Sequence, residues 1–131
     1  MGLWALGLAD TAITDEGLTH LAVLTRLDYL DLSGTKVTDQ GLGRLRNLTN
    51  LTRLQLNRTA VTDAGLKEVA KLRRLTWLDI SETRVSDIGL EHLKGLTGLT
   101  ELTWHDSRVT ARGVRELGKA LPNFIESRRS R

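Results

Sequence analysis

Aromatic and charged side chains recur at one position of this 131-residue sequence, at intervals of 24 residues. The column runs through Ala5, Tyr29, Arg53, Trp77 and Glu101. Tyr, Trp and Arg are the residue types most enriched in binding hot spots, and a guanidinium stacks well on aromatic rings. The chemistry that this column could perform is therefore recognition of a protein or peptide, provided that the fold brings its members side by side.

Polar residues occupy two neighbouring positions of the same interval. One column contains Asp31, Gln55 and Asp79, and the next column ends at His105. We predict that a partner binds to the functional side chains of the three columns, which are Tyr29, Asp31, Arg53, Gln55, Trp77, Asp79, Glu101 and His105. Asp31 and Asp79 should favour a partner that carries Lys or Arg. The alternative is that Arg53 simply stacks between Tyr29 and Trp77 without serving a partner.

The same columns contain the residue types of a Ser-His-Asp group, because Ser81 and His105 are one interval apart and Asp79 is nearby. Acyl transfer also needs an activated nucleophile, an oxyanion hole and a pocket, and the sequence has no motif for these. His20 and His92 share a helix position but lie three units apart, which is too far to share a metal ion. The chain contains no cysteine. We therefore predict no enzymatic activity, no metal and no cofactor.

Leucines mark the units that must position these columns. The pattern L-x-x-L-x-L alternates with period two, which predicts a short strand with one buried face. Apolar residues at three-residue steps, such as Leu66, Val69 and Leu72, then predict a short helix. Between strand and helix stand Thr or Ser and then Asp, which suit an N-cap and the positive end of a helix dipole. The units open at Leu3, Leu27, Leu51, Leu75 and Leu99.

Units of this size cannot bury their apolar faces alone, so they must stack, with the strands in one parallel sheet and the helices on the other side. Helices need more room per unit than strands, which bends the stack with the sheet on the inside. At this point the residues resemble the leucine-rich repeat family, in its bacterial-type 24-residue variant with Thr where the commoner consensus has Asn. The matching column is Thr11, Thr35, Thr59, Thr83 and Ser107.

The resemblance implies an α/β solenoid of five repeats, with a curved parallel β-sheet on the concave face and short helices on the convex face. It also implies a non-enzymatic protein-protein interaction module, and a hydrogen-bond ladder that runs from coil to coil through the Thr column. We expect one array over residues 1–125, followed by a basic tail at 126–131 that we predict to be disordered. The expected repeats are 3–26, 27–50, 51–74, 75–98 and 99–125.

The basic balance of the chain gives little support for nucleic-acid binding. The net charge is +3, and the tail alone contributes +2 of it. Lys36, Arg84 and Arg108 share one column; we expect them to pair with the Asp column and with Glu82, and phosphate binding is the alternative. We predict no specific nucleic-acid partner and no membrane contact. The sequence shows no signal peptide or membrane span, which favours a cytoplasmic location.

A structural role is the second hypothesis for the function of this chain. The first unit presents Leu3, Leu6 and Leu8 without a separate polar cap, and solenoids need capped ends. The chain could therefore form a homo-oligomer through its N-terminal repeat edge, or be the C-terminal fragment of a longer repeat array. A binding module would use the concave face, whereas a self-assembling unit would use this edge.

Overall fold

A computed structural model describes residues 2–125, and in it short strands alternate with short helices. Two short 3₁₀ helices, Gly43–Leu45 and Glu91–Gly95, extend the second and fourth helices. The strands are β1 (Ala5–Gly7), β2 (Tyr29–Asp31), β3 (Arg53–Gln55), β4 (Trp77–Asp79) and β5 (Glu101–Thr103). The helices are α1 (Asp15–Leu21), α2 (Asp39–Leu42), α3 (Asp63–Val69), α4 (Asp87–Leu90) and α5 (Ala111–Ala120). The basic tail expected at 126–131 lies outside the described residues.

The five strands form one parallel sheet in the order β1-β2-β3-β4-β5. Each strand pairs with the next at a register of 24 residues, so that Leu30 lies opposite Leu54 and Leu54 lies opposite Leu78. The predicted five-repeat α/β solenoid is therefore confirmed. Because the register never slips, every column of the sequence becomes a row of lateral neighbours across the sheet.

The core lies between the sheet and the helices and consists mainly of leucine. Leu54 and Leu56 of the third coil are fully buried, whereas Gln55 between them is only half-buried, which is the alternation that the sequence predicted. Leu66, Val69 and Leu72 close the core from the helical side. The apolar side chains of successive coils form one continuous cluster, so each coil buries its neighbours as well as itself.

Each strand-to-helix turn is clamped to the turn of the preceding coil by an aspartate. Asp63 accepts hydrogen bonds from Ser86 N at 2.7 Å and from Ser86 Oγ at 2.6 Å. Ser86 Oγ in turn accepts from Ile88 N at 3.2 Å and caps α4. The sequence predicted the cap and the dipole role of the aspartate but not this clamp between coils. The same clamp joins Asp15 to Thr38, Asp39 to Thr62 and Asp87 to Thr110.

The turn threonines, which are the column that begins at Thr11, do not form the expected hydrogen-bond ladder between coils. Thr83 Oγ1 donates to Ile80 O at 2.7 Å, within its own coil, and accepts from Val85 N at 3.3 Å. The expectation of a coil-to-coil ladder is wrong here, because the single hydroxyl proton is used on the carbonyl three residues earlier. These bonds fix the shape of each turn, while the aspartates link the coils. The equivalent donors are Thr11, Thr35, Thr59 and Ser107.

Left-handed backbone recurs at the residue directly before each turn threonine or serine, at positions 10, 34, 58, 82 and 106. Gly34, with φ +67°, leaves space above it in which Arg58 Nη1 meets Asp10 Oδ1 at 2.9 Å, two coils away. The hydrogen bond from Arg58 to Asp10 raises the pKa of this guanidinium. Both side chains are well exposed, so the pair contributes little to stability.

The expected pairing of the basic column with the aspartate column is wrong. Within residues 2–125, Lys36, Arg84 and Arg108 make no ion pair with those aspartates or with Glu82. The physical reason is that the aspartate oxygens already accept from the N–H and hydroxyl groups of the next coil. The three cations are exposed on the turns that lead into the helices.

The two ends of the sheet are covered differently. At the C-terminal end, Ile125 N donates to Thr100 O at 2.7 Å, and Phe124 packs against the core. At the other end, among the residues that the structure describes, β1 pairs with β2 alone, and Leu3 and Trp4 are 47% and 65% exposed. No helix within residues 2–125 has the length and apolar character needed to cross a membrane.

Candidate functional site

Five side chains of the first sequence column stand in a row across the concave sheet. Ala5 pairs with Tyr29, Tyr29 with Arg53, Arg53 with Trp77, and Trp77 with Glu101. Tyr29 and Trp77 are half-buried, while Arg53 and Glu101 are exposed. The strict register of the sheet therefore places one aromatic ring on each side of the Arg53 guanidinium.

Arg53 is held between these rings. Its Cζ lies 5.5 Å from the centroid of the Tyr29 ring and 5.3 Å from that of the Trp77 ring, which is within the range of cation–π attraction. No side chain or carbonyl of residues 2–125 accepts a hydrogen bond from the guanidinium. The stacking that the sequence suggested is present, and the N–H edge of the guanidinium stays available to solvent.

Asp31 is tied into a network with its neighbours. Asp31 Oδ1 accepts from Ser33 N at 2.9 Å and from Ser33 Oγ at 2.6 Å. The Gln55 amide, with its nitrogen toward Asp31, donates to Asp31 Oδ2 and to Tyr29 Oη, each at 2.8 Å. Burial first, and the Asp31 charge second, raise the pKa of Tyr29. Tyr29 therefore stays an uncharged phenol at neutral pH and presents an intact ring to Arg53.

Asp79 is directed into its own coil rather than toward solvent. It is 8% exposed and accepts from Ser81 N at 2.9 Å. Asp79 is therefore little accessible to a partner, and the expected attraction of a Lys or Arg by Asp31 and Asp79 stays a prediction. Arg53 and Glu101 are the charged members of the predicted site whose side chains make no hydrogen bond or ion pair within the described part of the chain.

A cavity of about 360 Å³ opens beside the Arg53 stack. Its walls come from four successive coils, and Trp4 forms the side nearest the N-terminal edge. Sequence reasoning left Trp4 out of the site, because this residue stands one position before the Tyr29 column. The available signal was its neighbour Ala5, whose small side chain leaves space that a large residue can border. The lining residues are Trp4, Ala5, Asp28, Tyr29, Arg53, Gln55 and Trp77.

Similarity to known proteins agrees with this architecture. The sequence profile of the Leucine Rich repeat family matches residues 24–45 and 47–70. The first match contains β2 and α2, and the second contains β3 and α3, so each match is one strand-turn-helix coil. The matched coils, and the solenoid that they belong to, have the leucine-rich repeat fold. No curated protein sequence matches it significantly.

Solved leucine-rich repeat structures are similar in fold. Internalin C2 of Listeria monocytogenes shares 26% identity at a TM-score of 0.55, over 82% of this chain and 64% of its own. A TDR receptor shares 22% identity at a TM-score of 0.62, over 94% of this chain and 21% of its own. The BIR2 ectodomain from Arabidopsis thaliana shares 19% identity at a TM-score of 0.56, over 80% of this chain and 55% of its own. The present chain thus spans less than two thirds of each of these proteins.

The leucine-rich repeat scaffold does not assemble the Ser-His-Asp group that the sequence allowed. Ser81 is 1% exposed and its Oγ has no hydrogen-bond partner within residues 2–125. His105 Nδ1 instead lies 3.3 Å from Asp106 Oδ2, and Asp79 accepts from the Ser81 backbone. Without a hydrogen bond from serine to histidine, no group is placed to activate the hydroxyl.

Glu82, His105 and Asp106 form a cluster that sequence reasoning did not identify. Their ligand atoms lie within 4.8 Å of one another on the exposed turns of the last two leucine-rich repeats. Two of these residues, Glu82 and Asp106, are in the left-handed column, which turns their side chains to the same side. Exposed acidic groups of this kind are common without an ion, and we assign no metal to them. His105 lies at the margin of the predicted site rather than at its centre.

Proposed function

We propose that this leucine-rich repeat array is a non-enzymatic interaction module that binds a protein or peptide partner on its concave sheet face. The observation that carries the proposal is the Arg53 stack, exposed at the centre of the sheet and bordered by a cavity. Aromatic and Arg side chains in such a position are typical of binding hot spots. The match of two coils to the leucine-rich repeat family, whose members typically bind proteins, supports the same conclusion.

The size of the face limits what the partner can be. Five strands at a spacing of about 4.8 Å span roughly 20 Å. A surface of this width accommodates an extended segment or one helix, but it cannot surround a folded domain. We therefore propose a short segment as the bound element, contacting the first two columns around Arg53 and Trp77, with His105 at the edge.

Replacing Trp77 by Ala is the direct test of this site. Random short peptides displayed on phage are selected on the wild-type protein, and the affinity of each selected peptide is measured by titration. Trp77→Ala should weaken binding by about 2 kcal/mol, or roughly 30-fold, because it removes a hot-spot ring and one wall of the Arg53 stack. The fold should persist, since Trp77 is half-exposed and lies outside the leucine core.

Ile88→Ala is the matched control, since Ile88 is a large apolar residue on the helical face and is 71% exposed. Its affinity for the peptides should equal that of the wild type. Peptides that lose affinity with the Ile88 variant and keep it with the Trp77 variant would place the binding surface on the convex side and refute the proposal.

Self-association through the N-terminal edge is the second candidate function. The open edge of β1 and the exposed side chains of Leu3 and Val23, the latter 77% exposed, favour contact with a second copy. Sedimentation equilibrium over a range of concentrations should then give a dimer mass, and Val23→Glu should return the mass to that of a monomer. A monomer mass at every concentration would exclude this function and leave the concave face as the interaction surface.

A further inference from the structure

We propose that the concave site recognises a carboxylate, namely the side chain of an Asp or Glu in the bound peptide segment, through Arg53. This inference rests on the proposed function and specifies the chemistry of its partner. It differs from the expectation drawn from sequence, which favoured a Lys or Arg on the partner because of Asp31 and Asp79.

The geometry of Arg53 is the first support. An aromatic ring lies on each side of the guanidinium, with Cζ 5.5 Å from the Tyr29 centroid and 5.3 Å from the Trp77 centroid, and its N–H donors make no hydrogen bond within residues 2–125. Carboxylates bind the planar edge of a guanidinium through two parallel hydrogen bonds. Because the rings already restrict the side chain, a ligand would find the donors in place and would cost little additional conformational entropy.

The surrounding acids are the second support, because each of them is already engaged. Asp31 accepts from Ser33 and from Gln55, and Asp79 accepts from Ser81 N. Asp28, at the cavity wall, accepts from the Thr52 hydroxyl. None of these carboxylates pairs with Arg53. A cationic partner would be repelled by Arg53 and would find Asp79 only 8% exposed, whereas an anionic group would meet an arginine that forms no ion pair among residues 2–125.

The same surroundings select a side-chain carboxylate among the possible anions. A phosphate group with nearly two negative charges would face Asp28 and Asp31 with only one cation to offset them. A C-terminal carboxylate is usually held by several backbone N–H groups, and the strand amides here are used within the sheet. A singly charged Asp or Glu side chain needs only the fork of Arg53.

The cavity is the third support, since it provides apolar contact next to the charge. Trp4 and Tyr29 border its 360 Å³, and Ala5 leaves the N-terminal side of the Tyr29 ring open. The methylene groups of a Glu side chain, or an apolar residue beside it in the peptide, can pack on these rings while the carboxylate reaches Arg53.

The test uses the peptides selected on wild-type protein whose binding depends on Trp77. These peptides should share an Asp or Glu, and changing that residue to Asn or Gln should weaken binding to the wild type about tenfold, the loss expected for a charge-assisted hydrogen-bond pair. The Arg53→Gln variant should bind the acidic and the amide peptides equally. The variant Arg84→Gln, which changes an exposed arginine on a turn, should still prefer the acidic peptide.

The possible outcomes separate this inference from the proposed function. Trp77-dependent peptides that are enriched in Lys or Arg, or that bind Arg53→Gln with an undiminished acid preference, would overturn the carboxylate proposal and leave the concave site intact. A selection that gives no Trp77-dependent peptide would refute the concave site itself, and the carboxylate proposal with it. Circular dichroism of the Arg53 variant should match that of the wild type, because Arg53 is exposed and outside the core.

Discussion

Gly65→Ala is expected to lower the free energy of unfolding by about 3 kcal/mol, combining overpacking with the loss of buried hydrogen bonds. A Cβ on Gly65 would overlap Asp39 Oδ1 and would stand 3.0 Å from Leu42 Cδ1. Asp39 cannot move away without releasing Thr62 N, which it binds at 2.7 Å. One methyl group should therefore disturb both the core and a clamp between coils. Urea denaturation followed by circular dichroism measures the change.

Gly43→Ala is the control for this prediction, because Gly43 is also a glycine with helical backbone angles. A Cβ there would have Glu68 Oε1 as its nearest neighbour at 3.4 Å, which is an ordinary contact. Since Ala is the better helix former, Gly43→Ala should leave stability unchanged or raise it by up to about 1 kcal/mol. Equal losses in the two variants would show that the close approach of Asp39 is not the reason for glycine at position 65.

Asp63→Ala is expected to lower the free energy of unfolding by about 2 to 3 kcal/mol. Asp63 accepts two hydrogen bonds from Ser86, and its removal leaves a half-buried backbone N–H of Ser86 without a partner. A buried donor that loses its acceptor carries the full cost of desolvation. The variant also loses a carboxylate at the N-terminus of α3, which contributes up to about 1 kcal/mol. Thermal and urea unfolding of the purified variant give the loss.

Asp87→Ala provides the comparison within the same column. Asp87 makes the equivalent bonds to Thr110, but there the N–H and hydroxyl groups are exposed, so water can replace the carboxylate. Asp87→Ala should therefore lower the free energy of unfolding by about 1 kcal/mol, close to the net value of a solvent-accessible hydrogen bond. Equal losses in the Asp87 and Asp63 variants would contradict the prediction that the half-buried clamp stabilises the fold more than the exposed one.

The fold was predictable because the information that specifies it is local and is repeated five times. The alternation of Leu54, Gln55 and Leu56 sets which face of the strand is buried, and a single period of 24 residues sets the register of the whole sheet. Any slip would move an apolar column to the exposed side in every coil at once. The N-cap hydroxyls, such as that of Ser86, were predictable for the same reason, since a cap acts within one turn of the chain.

The roles of the polar side chains were less predictable, because they depend on which atoms of another coil come within hydrogen-bond distance. The turn threonines, such as Thr83, bond within their own coil, and the aspartates, such as Asp63, bond to the next coil. A column pattern cannot distinguish these cases, since both kinds of residue repeat with the same period. Likewise, nothing in the spacing of Trp4 indicates that its ring borders the cavity beside Tyr29.

The amino-acid sequence by itself determined that this protein is a stack of five strand-turn-helix coils and that Tyr29, Arg53 and Trp77 are neighbours on one face. Both properties follow from periodic burial, which each coil encodes separately and which stacking then repeats. Only the tertiary structure decided which charges on that face are free. Asp31 and Asp79 are held by donors two residues away or one coil away, while Arg53 has rings on both sides and no acceptor within residues 2–125. The reason is that a hydrogen bond forms only over a few tenths of an ångström of tolerance, whereas hydrophobic burial tolerates much larger variation in position.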